Sequence, residues 1–309
     1  MLLVTGATGF VGAAVVAHLH ARGHQVRALV RDPARATVLP DGVEVAVADL
    51  TDVDALTRAV DGCEGVFHLA AAVGLSGAAV RQINVGGTAR VVDACRRAGV
   101  RRLVHTSSSA AICVADPHGP GAVVDEGAAG GTALTDAYST TKAEAEAVVL
   151  AAVHDGLDAV VATVVSVYGP SPRGPQGYNT LLAAAARGEV GDIVDTRVGW
   201  VLAEDVAAGQ LDAYEQGEAG HRYVLSGEVA SFPRLLNTYC GLVGSPHRVH
   251  PVPQGSALTD PPPFAERSEV YGHLGGYRVV DDAARALGST PRGLDEGLEL
   301  TARWMRTPG

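Results

Sequence analysis

The sequence predicts an α/β fold: a doubly wound parallel sheet with a smaller C-terminal lobe that binds substrate. Three observations predict it. In the first half, short runs of Val, Leu and Ala alternate with helical patterns, as in βαβ units whose strands are buried on both faces. A glycine-rich turn, Gly6-Ala7-Thr8-Gly9-Phe10-Val11-Gly12, joins the first apolar run to the first helical one. After Gly169 the pattern changes to a turn-rich segment with Pro170, Pro172, Pro175, Gly174 and Gly177, and helices dominate the remainder of the chain.

Leu2 to Val4 reads as a strand, and Phe10 to Arg22 as a helix stopped by Gly23. Val26 to Val30 and Val43 to Val47 are the second and third strands, and Asp52 to Val60 is a helix with an acidic first turn. Gly65 to Leu69 is strand four, Val80 to Ala98 one long helix ending at Gly99, and Leu103 to Thr106 strand five. Asp136 to His154 is a helix and Asp158 to Val165 strand six. This assigns a nucleotide-binding domain to 1–168 and the substrate lobe to 169–309. The lobe is expected to hold helices at Asn179 to Arg187, Glu204 to Glu215, Ser231 to Leu242, Asp281 to Leu287 and Asp295 to Arg306. A strand is expected at His221 to Leu225, and an irregular exposed loop at Pro251 to Pro263. Parts of the lobe are expected to return to the main sheet.

Composition narrows the function classes. The chain has 309 residues, 47% of them hydrophobic, enough for a sizeable core. The net charge is −10, and basic residues cluster no further than pairs such as Arg96-Arg97, which argues against a nucleic-acid partner. Cys63, Cys95, Cys113 and Cys240 lack CxxC spacing and read as free thiols in a reducing compartment. The chain starts on an apolar strand rather than a charged leader, and has no 18-residue apolar run. A cytoplasmic protein without a membrane span is therefore expected. His247, His250 and His273 are too scattered to predict a metal site.

Two features point to chemistry. Lys142 is the sole lysine among 24 basic residues, and it stands four after Tyr138. At helical spacing the two share a face, and an ammonium is a compact donor where Arg is a rigid fork. An ammonium beside a phenol favours the phenolate, so the spacing predicts a lowered Tyr138 pKa. Tyr138 is the candidate proton donor and Lys142 its electrostatic helper. The second feature is the glycine-rich turn. Gly6, Gly9 and Gly12 let the turn close, let amides approach a pyrophosphate and let the helix pack on the sheet, as a Rossmann-type dinucleotide site requires. Strand two ends Leu29-Val30-Arg31-Asp32. Arg31 suits a 2′-phosphate, which favours NADP(H) over NAD(H). A shift of one residue would instead bring the Asp32 carboxylate toward the ribose. Asp49 and Leu50 come after strand three, where a side chain reaches the adenine.

With these residues, the chain resembles the extended short-chain dehydrogenase/reductase family, the group of NAD-dependent epimerase/dehydratases, dihydroflavonol reductases and 3β-hydroxysteroid dehydrogenases. The resemblance runs from Met1 to about Gly227. Beside the glycine turn, it rests on Val66-Phe67-His68-Leu69-Ala70-Ala71, Asn84-Val85-Gly86-Gly87-Thr88 and Leu103-Val104-His105-Thr106-Ser107-Ser108-Ser109. It rests further on YxxxK at Tyr138 and Lys142, Val167-Tyr168-Gly169-Pro170, and Glu204-Asp205-Val206-Ala207. The chain departs from the family at Thr163-Val164, where Arg-Pro is frequent. The resemblance implies a catalytic Ser108, with Ser109 as the alternative, acting with Tyr138 and Lys142. It implies cofactor contacts from Gly6, Thr8, Gly9, Phe10, Val11, Gly12, Arg31, Asp49, Leu50, Leu69, Ala70, Ala71, Tyr138, Lys142 and Val165. It also implies that the helices Val80 to Ala98 and Asp136 to His154 can pair in a homodimer.

The expected activity is NADPH-dependent reduction of a ketone or aldehyde, reversibly alcohol oxidation, on a small, neutral, partly apolar substrate. Its walls are expected from Val73 to Ser76, Ile112 to Val114, Tyr168 to Tyr178, and near Phe264. Two other readings stand beside it: an NAD-dependent nucleotide-sugar epimerase or dehydratase, with Arg173, Arg197, Arg222 and Arg234 available for a diphosphate, and a non-catalytic NADP sensor. An intact Ser-Tyr-Lys set argues against the sensor.

Overall fold

The computed structural model describes residues 1–73 and 77–306. Seven parallel strands form the central sheet: β1 Leu2–Thr5, β2 Val26–Val30, β3 Glu44–Val47, β4 Gly65–His68, β5 Arg102–Ser108, β6 Ala159–Val164 and β7 Arg222–Leu225. Their order across the sheet is β7-β6-β5-β4-β1-β2-β3. The order reverses between β1 and β4, and in such sheets the crevice beyond the strand ends at the reversal is the ligand site. β1, β4 and β6 are buried along their whole length, which explains their unbroken apolar runs.

Helices cover both faces. They are α1 Phe10–Ala21, α2 Val53–Val60, α3 Gly87–Ala98, α4 Ala137–His154 and α5 Ala203–Gln216. α1 packs on α5, and α2 and α4 pack on α3. Asp52 caps α2 by accepting from Ala55 N, and Asp136 caps α4 by accepting from Ser139 N. β7, drawn from the second half of the chain, pairs with β6 from Arg222 against Val161 to Leu225 against Val164.

Two expectations are corrected. Val80 to Ala98 is not one regular helix: a helical turn at Gly77–Arg81 leads into a π-helical turn at Gln82–Gly86 before α3. The widened turn lets the buried Asn84 side chain reach out of the helix. Its Oδ1 accepts from Ala72 N at 2.7 Å, and its Nδ2 donates to Ala72 O at 3.2 Å and Thr141 Oγ1 at 3.1 Å. Pro251 to Pro263 is not wholly irregular, because His250–Val252 pairs with Asp192–Val194.

Two three-stranded sheets complete the fold. One joins Cys113–Ala115, Ala122–Asp125 and Tyr277–Val280; the other joins Ser166–Tyr168, Arg197–Leu202 and Val229–Ser231. Trp200, Phe232 and Tyr168 are the largest side chains buried beside them. No helix among the described residues is long and apolar enough to cross a membrane.

Candidate active site

The glycine turn closes as tightly as its spacing requires. Gly6 takes φ +67°, and a Cβ there would lie 2.8 Å from Ala70 N. A Cβ on Gly12 would lie 2.0 Å from Gly6 O. Gly12→Ala is therefore expected to cost about 2–3 kcal/mol of stability by overpacking, read as a lower midpoint in denaturant at unchanged slope. Gly9 caps α1 with no side-chain hydrogen bond, and the first turn of α1 carries no acidic residue. The amides at this end are thus left for an anionic ligand.

Beyond the turn lies a cavity of about 620 Å³. Gly6, Thr8, Gly9, Arg31, Asp49, Leu50, Leu69, Ala70 and Ala71 all line it, so nine residues expected from sequence meet in one space. Phe10, Val11 and Gly12 form the first turn of α1 behind it. Val165 lies elsewhere, buried between β6 and Ser166–Tyr168 and packed toward Gly199. Arg35 and Gln82 also line the cavity and carry no motif that would have revealed them; Arg173, expected as a partner for a substrate diphosphate, lines it too. The Asp49 carboxylate accepts from Thr51 Oγ1 at 2.7 Å and Thr51 N at 2.8 Å; these bonds hold its pKa below the usual carboxylate value. One Asp32 oxygen accepts from Ala34 N at 3.0 Å, capping the 3-10 helix Pro33–Val38. The cavity, the open helix end and the guanidinium groups fit a nicotinamide dinucleotide.

His68 braces this turn from below. Thr88 Oγ1 donates to Asn84 O at 2.6 Å, so at 3.0 Å it can only accept from His68 Nε2. His68 Nδ1 must then accept from Thr5 Oγ1, 2.8 Å away. Thr5 Oγ1 in turn accepts from Leu69 N and Ala70 N, each at 3.2 Å. Burial, and then Lys142, lower the His68 pKa to about 3, so the ring is a neutral polar brace.

The expected catalytic groups converge at the end of β5 and the start of α4. Ser108 caps a short helix at Ser109–Ile112, its Oγ accepting from Ala110 N at 3.2 Å, and its hydroxyl lowers the pKa of the Tyr138 phenol against burial. Ser109 is buried, and the Tyr277 hydroxyl donates to its Oγ at 3.4 Å. Ser107 Oγ donates to Glu146. Three adjacent serines thus have three different partners, and of the three it is Ser108 that acts on the Tyr138 phenol. Lys142 is 5% exposed, and its Nζ donates to Thr106 O at 2.6 Å. Burial lowers its pKa to about 8, against the opposing charge of Glu146.

One electrostatic expectation is corrected. Tyr138 is not lowered: burial raises its pKa, and the Ser108 hydroxyl only partly opposes this. The Lys142 ammonium is turned to the backbone of β5 rather than to the phenol. The resting Tyr138 is therefore a protonated phenol at neutral pH, the form that donates.

The expected walls are only partly walls. Val73 lines the cavity, but residues 74–76 lie outside the described residues. Ile112, Cys113 and Tyr168 are core, and the Tyr168 hydroxyl donates to Leu294 O at 3.4 Å. Tyr178 is partly buried, with ring centroids 5.0 Å from Trp200 and 5.3 Å from Phe264. The sequence reading missed Arg267, on the helix Glu266–Gly272. Its guanidinium lies 3.4 Å from Asp136 and 5.0 Å over the Tyr271 ring. Burial opposes its charge, an effect offset by the Asp136 carboxylate and by the bond that Arg267 donates to the Tyr271 hydroxyl at 3.3 Å.

The sequence profile of the NAD dependent epimerase/dehydratase family matches residues 2–226. A putative dihydroflavonol 4-reductase from Synechocystis sp. is 36% identical over 265 residues, spanning 83% of this chain and 76% of the relative. The crystal structure of gox2253 superposes with a TM-score of 0.84 at 29% identity, over 99% of this chain and 98% of the other. MoeE5 in complex with UDP-glucuronic acid and NAD superposes with a TM-score of 0.78 at 28% identity, over 99% and 98% of the two chains. The chain belongs to the NAD dependent epimerase/dehydratase family, within the extended short-chain dehydrogenase/reductases, and is an NAD(P)-dependent oxidoreductase.

Proposed function

We propose that the protein is an NADP(H)-dependent reductase of a ketone or aldehyde, running reversibly as an alcohol dehydrogenase. The observation that carries this is the meeting of Ser108, Tyr138 and Lys142 at the end of β5 and the start of α4, in a fold whose dinucleotide cavity is rimmed by Arg31 and Arg35. When bound, the dinucleotide supplies the hydride. Tyr138 gives its phenolic proton to the substrate oxygen, and Ser108 donates a hydrogen bond to that oxygen as negative charge grows on it. Lys142 fixes the α4–β5 geometry through Thr106 O, and with it the position of Tyr138 one helical turn earlier on α4.

The choice of NADP(H) rests on Arg31 and Arg35, which face the same space, while one Asp32 oxygen is engaged by Ala34 N. Arg31→Ser is expected to weaken NADPH binding at least tenfold and leave NADH unchanged, because it removes a charge-assisted bond worth about 1.5–3 kcal/mol. Equal loss for both dinucleotides, in calorimetric titration, would remove Arg31 as the selector.

The nucleotide-sugar reading loses two of its four arginines: Arg222 is spent on the buried Glu146 at 2.5 Å and on Ala128 O, and Arg234 on Glu228 at 2.5 Å. The wall near Tyr178 and Phe264 is aromatic, which supports a neutral, partly apolar carbonyl substrate. The deciding experiment is hydride transfer from NADPH and NADH to a panel of ketones, aldehydes and nucleotide sugars. Turnover on nucleotide sugars alone, with NAD retained through purification, would overturn the reductase reading.

A further inference from the structure

The segment 170–177 is a loop with a fixed base and a cationic tip. Its base is stapled by Asn179, fully buried, whose Oδ1 accepts from Gly169 N at 3.0 Å and whose Nδ2 donates to Gly169 O at 2.7 Å. Inside the loop, Ser171 Oγ accepts from Gln176 Nε2 at 3.0 Å and Arg173 N at 3.3 Å. The far end meets α1: a Cβ on Gly177, at φ +57°, would lie 3.8 Å from Phe10 Cδ1. The tip meets the glycine turn itself, where Arg173 Nη1 donates to Thr8 O at 3.1 Å.

Arg173 is exposed and lines the dinucleotide cavity with Gly6, Thr8 and Gly9, and no carboxylate is ion-paired with it among the described residues. Its planar fork carries five N–H donors, and Thr8 O uses one. A neutral carbonyl is a weak partner for a guanidinium beside a helix end that already favours an anion; a diphosphate is a strong, bidentate one.

We propose that Arg173 is a clamp for the cofactor pyrophosphate, reaching across from the second half of the chain to close the glycine turn from the side opposite the α1 amides. The loop is then ordered by the cofactor, and it runs directly into Tyr178, one wall of the expected carbonyl pocket. Cofactor loading thereby sets the position of that wall. The proposal rests on the dinucleotide reading of the cavity and adds a residue to it.

The test is calorimetric titration of the intact protein and Arg173→Ala with three probes. NADPH carries both phosphate groups, ADP-ribose only the pyrophosphate, and adenosine 2′-monophosphate only the 2′-phosphate. In Arg173→Ala, NADPH and ADP-ribose should weaken about tenfold, the scale of one exposed charge-assisted contact, with adenosine 2′-monophosphate unchanged. Arg173→Lys should recover part of the loss, because it keeps the charge and loses the fork. Hydrogen exchange across 170–178 should slow on adding ADP-ribose to the intact protein and not to Arg173→Ala. Unchanged NADPH and ADP-ribose binding in Arg173→Ala would overturn the clamp while leaving the cofactor reading intact. So would weakened UDP-glucose binding with NADPH unaffected, which would move Arg173 to a substrate diphosphate. An intact protein that bound neither NADPH nor NADH would remove the cofactor reading, and the clamp with it.

Discussion

Replacing Tyr138 with Phe is expected to lower kcat for carbonyl reduction about a thousandfold while leaving NADPH affinity unchanged. General-acid catalysis by a positioned group contributes about 10²–10⁴-fold, and here the acid is a partly buried phenol whose raised pKa keeps its proton at neutral pH. Phe retains the ring and its packing and deletes only the O–H. Ser108→Ala should cost about a hundredfold or more by removing a donor to the developing oxyanion. The two losses should not add in the double variant, because Ser108 and Tyr138 are coupled electrostatically and act on one oxygen. Single-turnover mixing of NADPH-loaded protein with a carbonyl substrate measures this step without product release. A Tyr138→Phe protein retaining a tenth of the wild-type rate would mean that another group delivers the proton.

What the sequence made legible, it did through short-range constraints. The glycine turn was readable because Gly6 and Gly12 answer to atoms a few residues away or on the adjacent strand, leaving no room for a Cβ. β1, β4 and β6 were readable because burial on both faces writes itself as nearly unbroken apolar runs. The spacing of Tyr138 and Lys142 correctly placed them on one helix. It said nothing of Thr106 O, which belongs to β5 and takes the Lys142 ammonium; the sign of the Tyr138 shift was lost with that contact. Arg35 and Arg267 escaped, and Arg173 was read only as a partner for a substrate diphosphate, for a related reason. Each belongs to a segment without a local motif, and only the folded chain carries it to a site built by other segments. Arg173 and Thr8 are 165 positions apart. The π-helical turn was illegible because its cause, Asn84 bonding the backbone of Ala72, lies outside the helix.

Lys142→Met is expected to make the cofactor-free protein more stable at pH 7 and nearly inactive. Burial lowers the Lys142 pKa from 10.5 to about 8. At about 1.4 kcal/mol per pKa unit, holding the ammonium inside costs about 3 kcal/mol at any pH below 8. Proton counting sets the sign. Between about pH 8 and 10.5 the unfolded chain holds the proton and the folded one has released it, so wild-type stability rises with pH across that window. Met fills a similar volume and carries no charge, which removes the cost. Loss of the bond to Thr106 O returns about 1 kcal/mol of it, for a net gain near 2 kcal/mol at pH 7 that vanishes by about pH 10. In the wild type, carbonyl reduction should hold steady through neutral pH and decline above pH 8 as the buried Lys142 ammonium is lost. Lys142→Met should show a rate about a hundredfold lower with that decline absent. Urea titrations of both proteins at pH 7 and pH 10 check the linkage. A Met variant less stable at pH 7 by an amount independent of pH would show that Lys142 is held for structure. A variant more stable and slower would show that this chain carries a destabilising buried cation because the proton transfer at Tyr138 requires it.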